Sequence, residues 1–179
     1  CPVTAVDWLG DEWKITTPNG EIKAEYVVNA AGYRAGELGK MFGRDVPCVS
    51  LAHQYLITEP IAELIARDEK LPLLRDPDSS YYLRQEKDGL LLGPYEKNCR
   101  AHWLSSDDPM PDDFSFQLYN DDLERLEWYI EDACARVPIL GTAGITRVVN
   151  GPIPYTPDGL PLIGPMPSVP NAFEACVFT

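Results

Sequence analysis

Apolar and polar residues alternate along Trp13-Lys14-Ile15-Thr16-Thr17 and again along Glu21-Ile22-Lys23-Ala24, on either side of Pro18-Asn19-Gly20. Such alternation places one set of side chains on each face of a strand, and Asn-Gly between two such runs is a strong hairpin signal. The run Tyr26-Val27-Val28-Asn29-Ala30-Ala31-Gly32 is instead continuously apolar and ends in small residues. It predicts a strand buried on both faces, as in a parallel sheet. A short helix is expected over 34–42 and a long strand over 46–58, and Pro60 opens a helix that runs to Asp68. Residues 80–86 and 90–95 predict a second hairpin across Lys87-Asp88-Gly89. Leu123, Leu126, Ile130, Ala133 and Val137 recur at helical spacing, which predicts a helix over 121–136 with a core-facing stripe. Asp121 with Glu124 resembles a capping box, and Pro138 follows the helix end. Residues 104–115 read as a loop whose acidic stretch, 107–113, is a solvated surface.

The order is strands, then a strand-helix-hairpin-helix section, then strands again. It implies an α+β architecture: a mostly antiparallel sheet with flanking helices, set between two pieces of another domain. The boundaries expected are 1–44, 45–147 and 148–179.

Bulk properties exclude several roles. A net charge of −13 argues against nucleic acid and anionic membrane surfaces as partners. No apolar run approaches the ~20 residues needed to span a bilayer, and the N-terminus does not read as a signal peptide. The five cysteines Cys1, Cys48, Cys99, Cys134 and Cys176 are scattered and form no CxxC pair, so reduced thiols are expected rather than a disulfide framework. His53 and His102 are the two histidines and share no metal-ligand spacing, so no metal site is expected. No GxGxxG follows a strand, so no phosphate-cradling dinucleotide loop is present. The strand-like runs at both ends, with no starting methionine, read as a piece of a larger polypeptide.

The richest segment is 150–165, Asn-Gly-Pro-Ile-Pro-Tyr-Thr-Pro-Asp-Gly-Leu-Pro-Leu-Ile-Gly-Pro. Proline fixes φ and glycine permits close backbone approach, so this is rigid, irregular backbone of the kind that lines ligands. Thr156-Pro157-Asp158-Gly159-Leu160-Pro161-Leu162-Ile163-Gly164 resembles the segment that FAD-dependent amine oxidoreductases lay along their flavin. That family includes the glycine and D-amino-acid oxidases, the sarcosine oxidases, and the dimethylglycine and sarcosine dehydrogenases. Val27 to Gly32 is similar to the family's strand that ends beneath FAD, and Val3 sits where the family contacts adenine through its main chain. His53-Gln54-Tyr55-Leu56-Ile57-Thr58, Arg75-Asp76-Pro77, Ser80-Tyr81-Tyr82-Leu83-Arg84-Gln85 and Gly93-Pro94-Tyr95-Glu96 look like the dimethylglycine dehydrogenase branch.

The resemblance implies that 1–44 and 148–179 are partial strands of a Rossmann-like FAD-binding domain and 45–147 a substrate domain. FAD would meet Val3, Ala30, Ala31, Gly32, Pro157, Asp158, Pro161, Leu162, Ile163 and Gly164. The implied reaction is oxidative N-demethylation of an N-methylated glycine, with hydride passing to FAD and an iminium left behind. Hydrolysis would release formaldehyde, or a separate tetrahydrofolate-binding domain, absent from this chain, would capture the carbon. An electron-transfer protein is an implied acceptor. The location would be cytoplasmic in a bacterium or the mitochondrial matrix in a eukaryote.

The alternation rule places His53, Tyr55 and Ile57 on one strand face and Tyr82 and Arg84 on another. The family places a histidine and a tyrosine beside the substrate amine, so His53 would accept a proton or position the amine, and Tyr82 would orient substrate. Only one of Tyr81 and Tyr82 can face the flavin, and Tyr81 stands as a substrate-binding alternative. Tyr55 and Tyr95 are expected to pack.

Glycine and D-amino-acid oxidases commonly carry an Arg-Pro carboxylate clamp before the Thr-Pro-Asp segment; Ile153-Pro154 stands here instead. That departure points away from a primary amino-acid oxidase and leaves Arg84 as a carboxylate anchor on spacing. The rival readings are another flavin amine oxidase that uses oxygen directly and a stand-alone module that binds a small ligand or a partner. The isolated 179 residues are expected to bind little FAD.

Overall fold

A computed structural model describes residues 1–104 and 107–178. The strands are β1 (Ala5–Trp8), β2 (Trp13–Thr17), β3 (Gly20–Ala24), β4 (Val27–Asn29), β5 (Val49–Thr58), β6 (Leu74–Asp76), β7 (Tyr81–Glu86), β8 (Gly89–Pro94), β9 (Ala101–His102), β10 (Ile145–Tyr155), β11 (Leu162–Pro165) and β12 (Ala172–Cys176). The α-helices are α1 (Ala35–Met41), α2 (Ala62–Ile65) and α3 (Leu123–Arg136). The α+β, largely antiparallel architecture expected from the pattern is the one observed. The described residues form two compact units: one of Cys1–Ser50, Trp103, Leu104 and 153–178, the other of Leu51–His102 and Asp107–Pro152.

The first unit holds two three-stranded sheets. In β1-β2-β3, Thr17 pairs with Gly20 across Pro18-Asn19, the expected hairpin. In β11-β12-β4, β12 runs antiparallel to β11 and parallel to β4. The buried side of this sheet carries Asn29, Ala172 and Cys176. One apolar cluster joins Ala35, Val46, Cys176 and Val177, and another joins Trp13, Met166 and Ala172. At Gly39 of α1 a Cβ would overlap the Val46 side chain, so the missing side chain allows helix and Val46 to pack together. Burial pushes the Cys176 thiol up to about 11. The expectation of a strand buried on both faces is corrected here. β4 is three residues long and lies at a sheet edge, and Val28 is 55 % exposed on the face it shares with Ile163 and Phe173. Parallel pairing came out as the pattern implied; the second covering layer did not.

The second unit is a six-stranded sheet in the order β10-β5-β8-β7-β6, with β9 also paired to β5. The β7–β8 hairpin pairs Glu86 with Gly89 across Lys87-Asp88. Leu56, Tyr81, Leu83, Leu90 and Leu92 project to one side and meet Leu126, Tyr129 and Ala133 of α3. Each fully buried leucine contributes on the order of 1.5–3 kcal/mol, so this contact holds the helix to the sheet. Polar contacts anchor α3 at both ends. Arg136 Nε meets buried Asp76 at 2.8 Å near its C-terminus. At its N-terminus Asp122, not Asp121, is the cap, accepting from the Arg125 N–H at 3.4 Å. The Gln54 amide selects that residue by bonding both the Asp122 N–H (2.8 Å) and its carbonyl (3.0 Å). The helix expected from Pro60 to Asp68 shrinks to one turn. Ile61 and Leu64 reach the core, whereas Arg67, Asp68, Glu69 and Lys70 offer no apolar face to bury.

Candidate active site

Antiparallel register assembles one face of the second sheet from three strands. Arg84 pairs with Leu91 and Tyr82 with Gly93, while Ile57 pairs with Leu91 and Arg75 with Tyr82. Side chains alternate, so the face opposite α3 carries Ile57, Tyr55 and His53 from β5 and Tyr82 and Arg84 from β7, with Arg75 from β6. Thus His53 from one sequence motif and Tyr82 and Arg84 from another stand on one surface. Tyr81 does not. It is 0 % exposed, in the α3-facing core. Burial pushes its phenol up. Period-two alternation sends Tyr81 to the α3-facing side of the sheet, away from the face that carries Tyr82.

Tyr82 has room because of a neighbour without a side chain. A Cβ at Gly93 would overlap the Tyr82 ring. The ring also lies 5.8 Å from that of Tyr95, over which the Arg75 guanidinium sits at 5.1 Å. Burial, then the nearby Tyr95, raise the Tyr82 pKa, so it is a protonated donor at neutral pH. Arg84 is more open: its side chain is 44 % exposed and pairs with Glu86 at 2.6 Å. An exposed pair of this kind is worth about 0–1 kcal/mol and yields readily to a competing carboxylate.

His53 is largely buried, and its Nδ1 lies 4.0 Å from Oε1 of Glu96. Burial first, and then the positive charge of Arg125, hold the imidazole below its ordinary value. It is therefore neutral at pH 7. Glu96 is itself raised by burial and opposed by Arg125, which grips it at 2.9 and 2.8 Å. A cavity of about 380 Å³ is lined by Glu96, Lys97, Asn98, Arg125, Trp128 and Tyr129. Glu96 and Arg125 carry no motif of their own: Glu96 closes the stretch Gly93-Pro94-Tyr95-Glu96, and Arg125 lies beside the helical stripe of α3.

The residues singled out for FAD all lie in the first unit. Asn29 shapes the end of β4: its amide donates to the Ala35 carbonyl (3.0 Å) and accepts from the Ala31 N–H (3.3 Å). Ala30 is exposed, with Ala31, Gly32 and Val3 half-buried. The Thr156–Leu160 turn is self-bonded. The Thr156 hydroxyl contacts the Asp158 carboxylate at 2.9 Å and donates to the Leu160 carbonyl at 2.7 Å, and the same carboxylate accepts the Leu160 N–H at 3.1 Å. These bonds, the Leu160 N–H foremost, lower the Asp158 pKa. Pro157, Asp158, Pro161 and Ile163 are exposed, and Leu162 packs inward on the first unit's core. Gly32, Gly159 and Gly164 take φ of +58°, +71° and +150°, and a Cβ at any of them would meet nothing within 4 Å. Bare backbone with open space beside it, flanked by apolar side chains, is the surface a flat cofactor can lie along, so these residues fit FAD.

Among the described residues, no group of three or more His, Cys, Asp or Glu is arranged to hold a metal ion, and no helix is long and apolar enough to cross a membrane.

The chain is 44 % identical over 182 residues to the mitochondrial dimethylglycine dehydrogenase of Rattus norvegicus, matching 99 % of this chain and 21 % of that protein. It is 37 % identical over 184 residues to the mitochondrial sarcosine dehydrogenase of Homo sapiens, matching 99 % of this chain and 19 % of that one. It thus spans about a fifth of the length of these curated relatives. The fold matches that of L-proline dehydrogenase from P. horikoshii, with a TM-score of 0.77 at 24 % identity over 99 % of this chain and 44 % of that chain. A family profile described as FAD dependent oxidoreductase matches residues 1–178, and with that match the chain belongs to the FAD dependent oxidoreductase family.

Proposed function

We propose that this chain supplies the substrate face and part of the flavin-binding surface of an enzyme that oxidatively demethylates an N-methylated glycine, such as dimethylglycine or sarcosine. The observation that carries the reading is the single sheet face on which register gathers His53, Tyr82 and Arg84. Identity of 44 % to a dimethylglycine dehydrogenase and 37 % to a sarcosine dehydrogenase supports the substrate class.

The chemistry FAD supplies when bound is acceptance of a hydride from the N-methyl carbon. The chain's own residues prepare the substrate. An ammonium nitrogen cannot push electrons toward that bond, so the amine must first lose its proton. Neutral His53 is the acceptor for it. The Tyr82 hydroxyl donates a hydrogen bond that orients the substrate, and Arg84 draws its carboxylate from solution. Val3, Ala30, Ala31, Gly32 and the stretch from Pro157 through Gly164 hold the flavin, largely through backbone. The mitochondrial names of the relatives support a mitochondrial location, proposed as the matrix, for a eukaryotic parent, and the cytoplasm is proposed for a bacterial one.

Anaerobic mixing of the flavin-loaded enzyme with dimethylglycine, sarcosine or glycine tests the reading. Bleaching of the flavin by the N-methylated compounds but not by glycine is the expected result. A flavin that stays oxidised with all three refutes the demethylase reading.

A further inference from the structure

The strand that carries His53 is held on both sides of that residue by one buried ion pair. β5 changes partner along its length. Leu56 and Ile57 pair with β8, whereas the Ala52 N–H donates to the Arg100 carbonyl at 2.8 Å, next to β9. β8 stops at Pro94 and β9 starts at Ala101, so the sheet has a gap opposite Gln54. The Glu96 carboxylate fills it. Its Oε1 accepts the Gln54 N–H at 2.8 Å, in place of a ladder carbonyl. Its Oε2 accepts from Arg125 Nε and Nη2 at 2.9 and 2.8 Å. The same Nη2 donates to the Ala52 carbonyl at 3.3 Å. The residues before and after His53 are therefore both tied to the pair, and the Gln54 side chain adds two bonds to Asp122.

Burying a charge such as Glu96, whose side chain is 3 % exposed, carries a desolvation penalty of several kcal/mol, offset in part because the pair satisfies the Gln54 N–H and the Ala52 carbonyl. A neutral amide at position 96 could accept the same Gln54 N–H, so the gap in the sheet calls for an acceptor but not for a charge. Resting on the reading of His53 given above, we infer that Glu96 and Arg125 are positioning residues for His53: they lock the strand on either side of the imidazole and set the balance of charge around it.

Glu96, which follows β8, lies 4.0 Å from the imidazole, and Arg125 of α3 acts on it through its charge. Around that pair stand Cys99, its thiol pushed up by burial, just before β9, and Asp122, 3.7 Å from Arg125, at the start of α3. The two halves of the pair act on His53 with opposite sign. In Glu96→Gln the amide oxygen still accepts the Gln54 N–H, and Arg125 is left unbalanced, which disfavours the imidazolium. In Arg125→Met the carboxylate is left alone beside Nδ1, which favours it.

The test is the pH dependence of anaerobic flavin reduction by the N-methylated substrate, measured on the flavin-loaded enzyme. Glu96→Gln moves the acid limb to lower pH and Arg125→Met moves it to higher pH, each by about one pH unit. Arg125→Lys, which keeps the charge, returns the limb toward wild type. His53→Asn, run in parallel, separates the two levels of the argument. If His53→Asn is impaired but the Glu96→Gln and Arg125→Met limbs stay put or shift together, the positioning role is overturned and the reading of His53 stands. If His53→Asn reduces flavin like wild type, the reading of His53 falls and the positioning role with it. Should Arg125→Met fail to fold, Glu96→Gln decides alone, and an unmoved or alkaline-shifted limb overturns the inference.

Discussion

The Thr156–Gly164 segment of the first unit and the β5-β8-β7 face of the second are built by opposite means. The segment is mostly backbone, closed by its own Thr156–Asp158–Leu160 bonds, with outward apolar side chains and glycines whose missing side chains leave open space. The sheet face is side-chain chemistry, aimed by strand register and braced by α3 with its buried Glu96–Arg125 pair. The first surface needs shape: a flat cofactor that carries its own reactivity has to be approached closely. The second needs particular groups in particular protonation states. Local sequence suffices to make the first, whereas the second depends on contacts between distant segments.

The contrast breaks most sharply at Gly93. A Cβ there would overlap the Tyr82 ring, so Gly93→Val should lower substrate-driven flavin reduction by about 10²-fold, the loss expected of a misplaced catalytic contact. Flavin content should stay at the wild-type level, and absorbance of the purified enzyme alongside stopped-flow reduction checks both. Loss of flavin as well would mean that the two surfaces are not separable in function.

Truncations give a second, smaller contrast. Leu92, fully buried on the central strand, should cost about 2–5 kcal/mol as Leu92→Ala. Leu160, 62 % exposed, should cost within about 0.5 kcal/mol as Leu160→Ala yet release flavin more readily. Urea unfolding and flavin retention on dilution distinguish them.

The smallest effect is a pH dependence confined to the sheet face. His53 has a folded pKa below 6.5, so the unfolded chain binds its proton first as pH falls. Its contribution is intact above that value and is lost as pH falls through the folded pKa. The stability of the wild type relative to His53→Asn should therefore decline as pH drops below about 6.5. Thermal midpoints of the two proteins across that range measure it, and a constant difference would mean that His53 is not desolvated.

Much of the fold was legible because it rests on short-range rules. Two-residue turns marked the β2–β3 and β7–β8 hairpins, helical spacing marked α3, and order along the chain implied the α+β arrangement. The His53 and Tyr82 candidates came from motifs read against a family. Expectations failed where a rule needed a partner from elsewhere. The α2 helix ended early because its charged residues had nothing to pack on, Val28 was left exposed on an edge strand, and the α3 cap moved to Asp122 because Gln54 holds it.

The sequence by itself determined where strands, turns and the long helix lie, and the rigid proline- and glycine-bearing backbone of the Thr156–Gly164 segment, since φ restrictions and side-chain periodicity act within a few residues. Only the tertiary structure separated Tyr81 from Tyr82, burying one against α3 and resting the other over Gly93. Only the tertiary structure brought Glu96 and Arg125, 29 positions apart, to the gap behind His53. Burial and electrostatics depend on distance in space, and that distance is set by the folded chain.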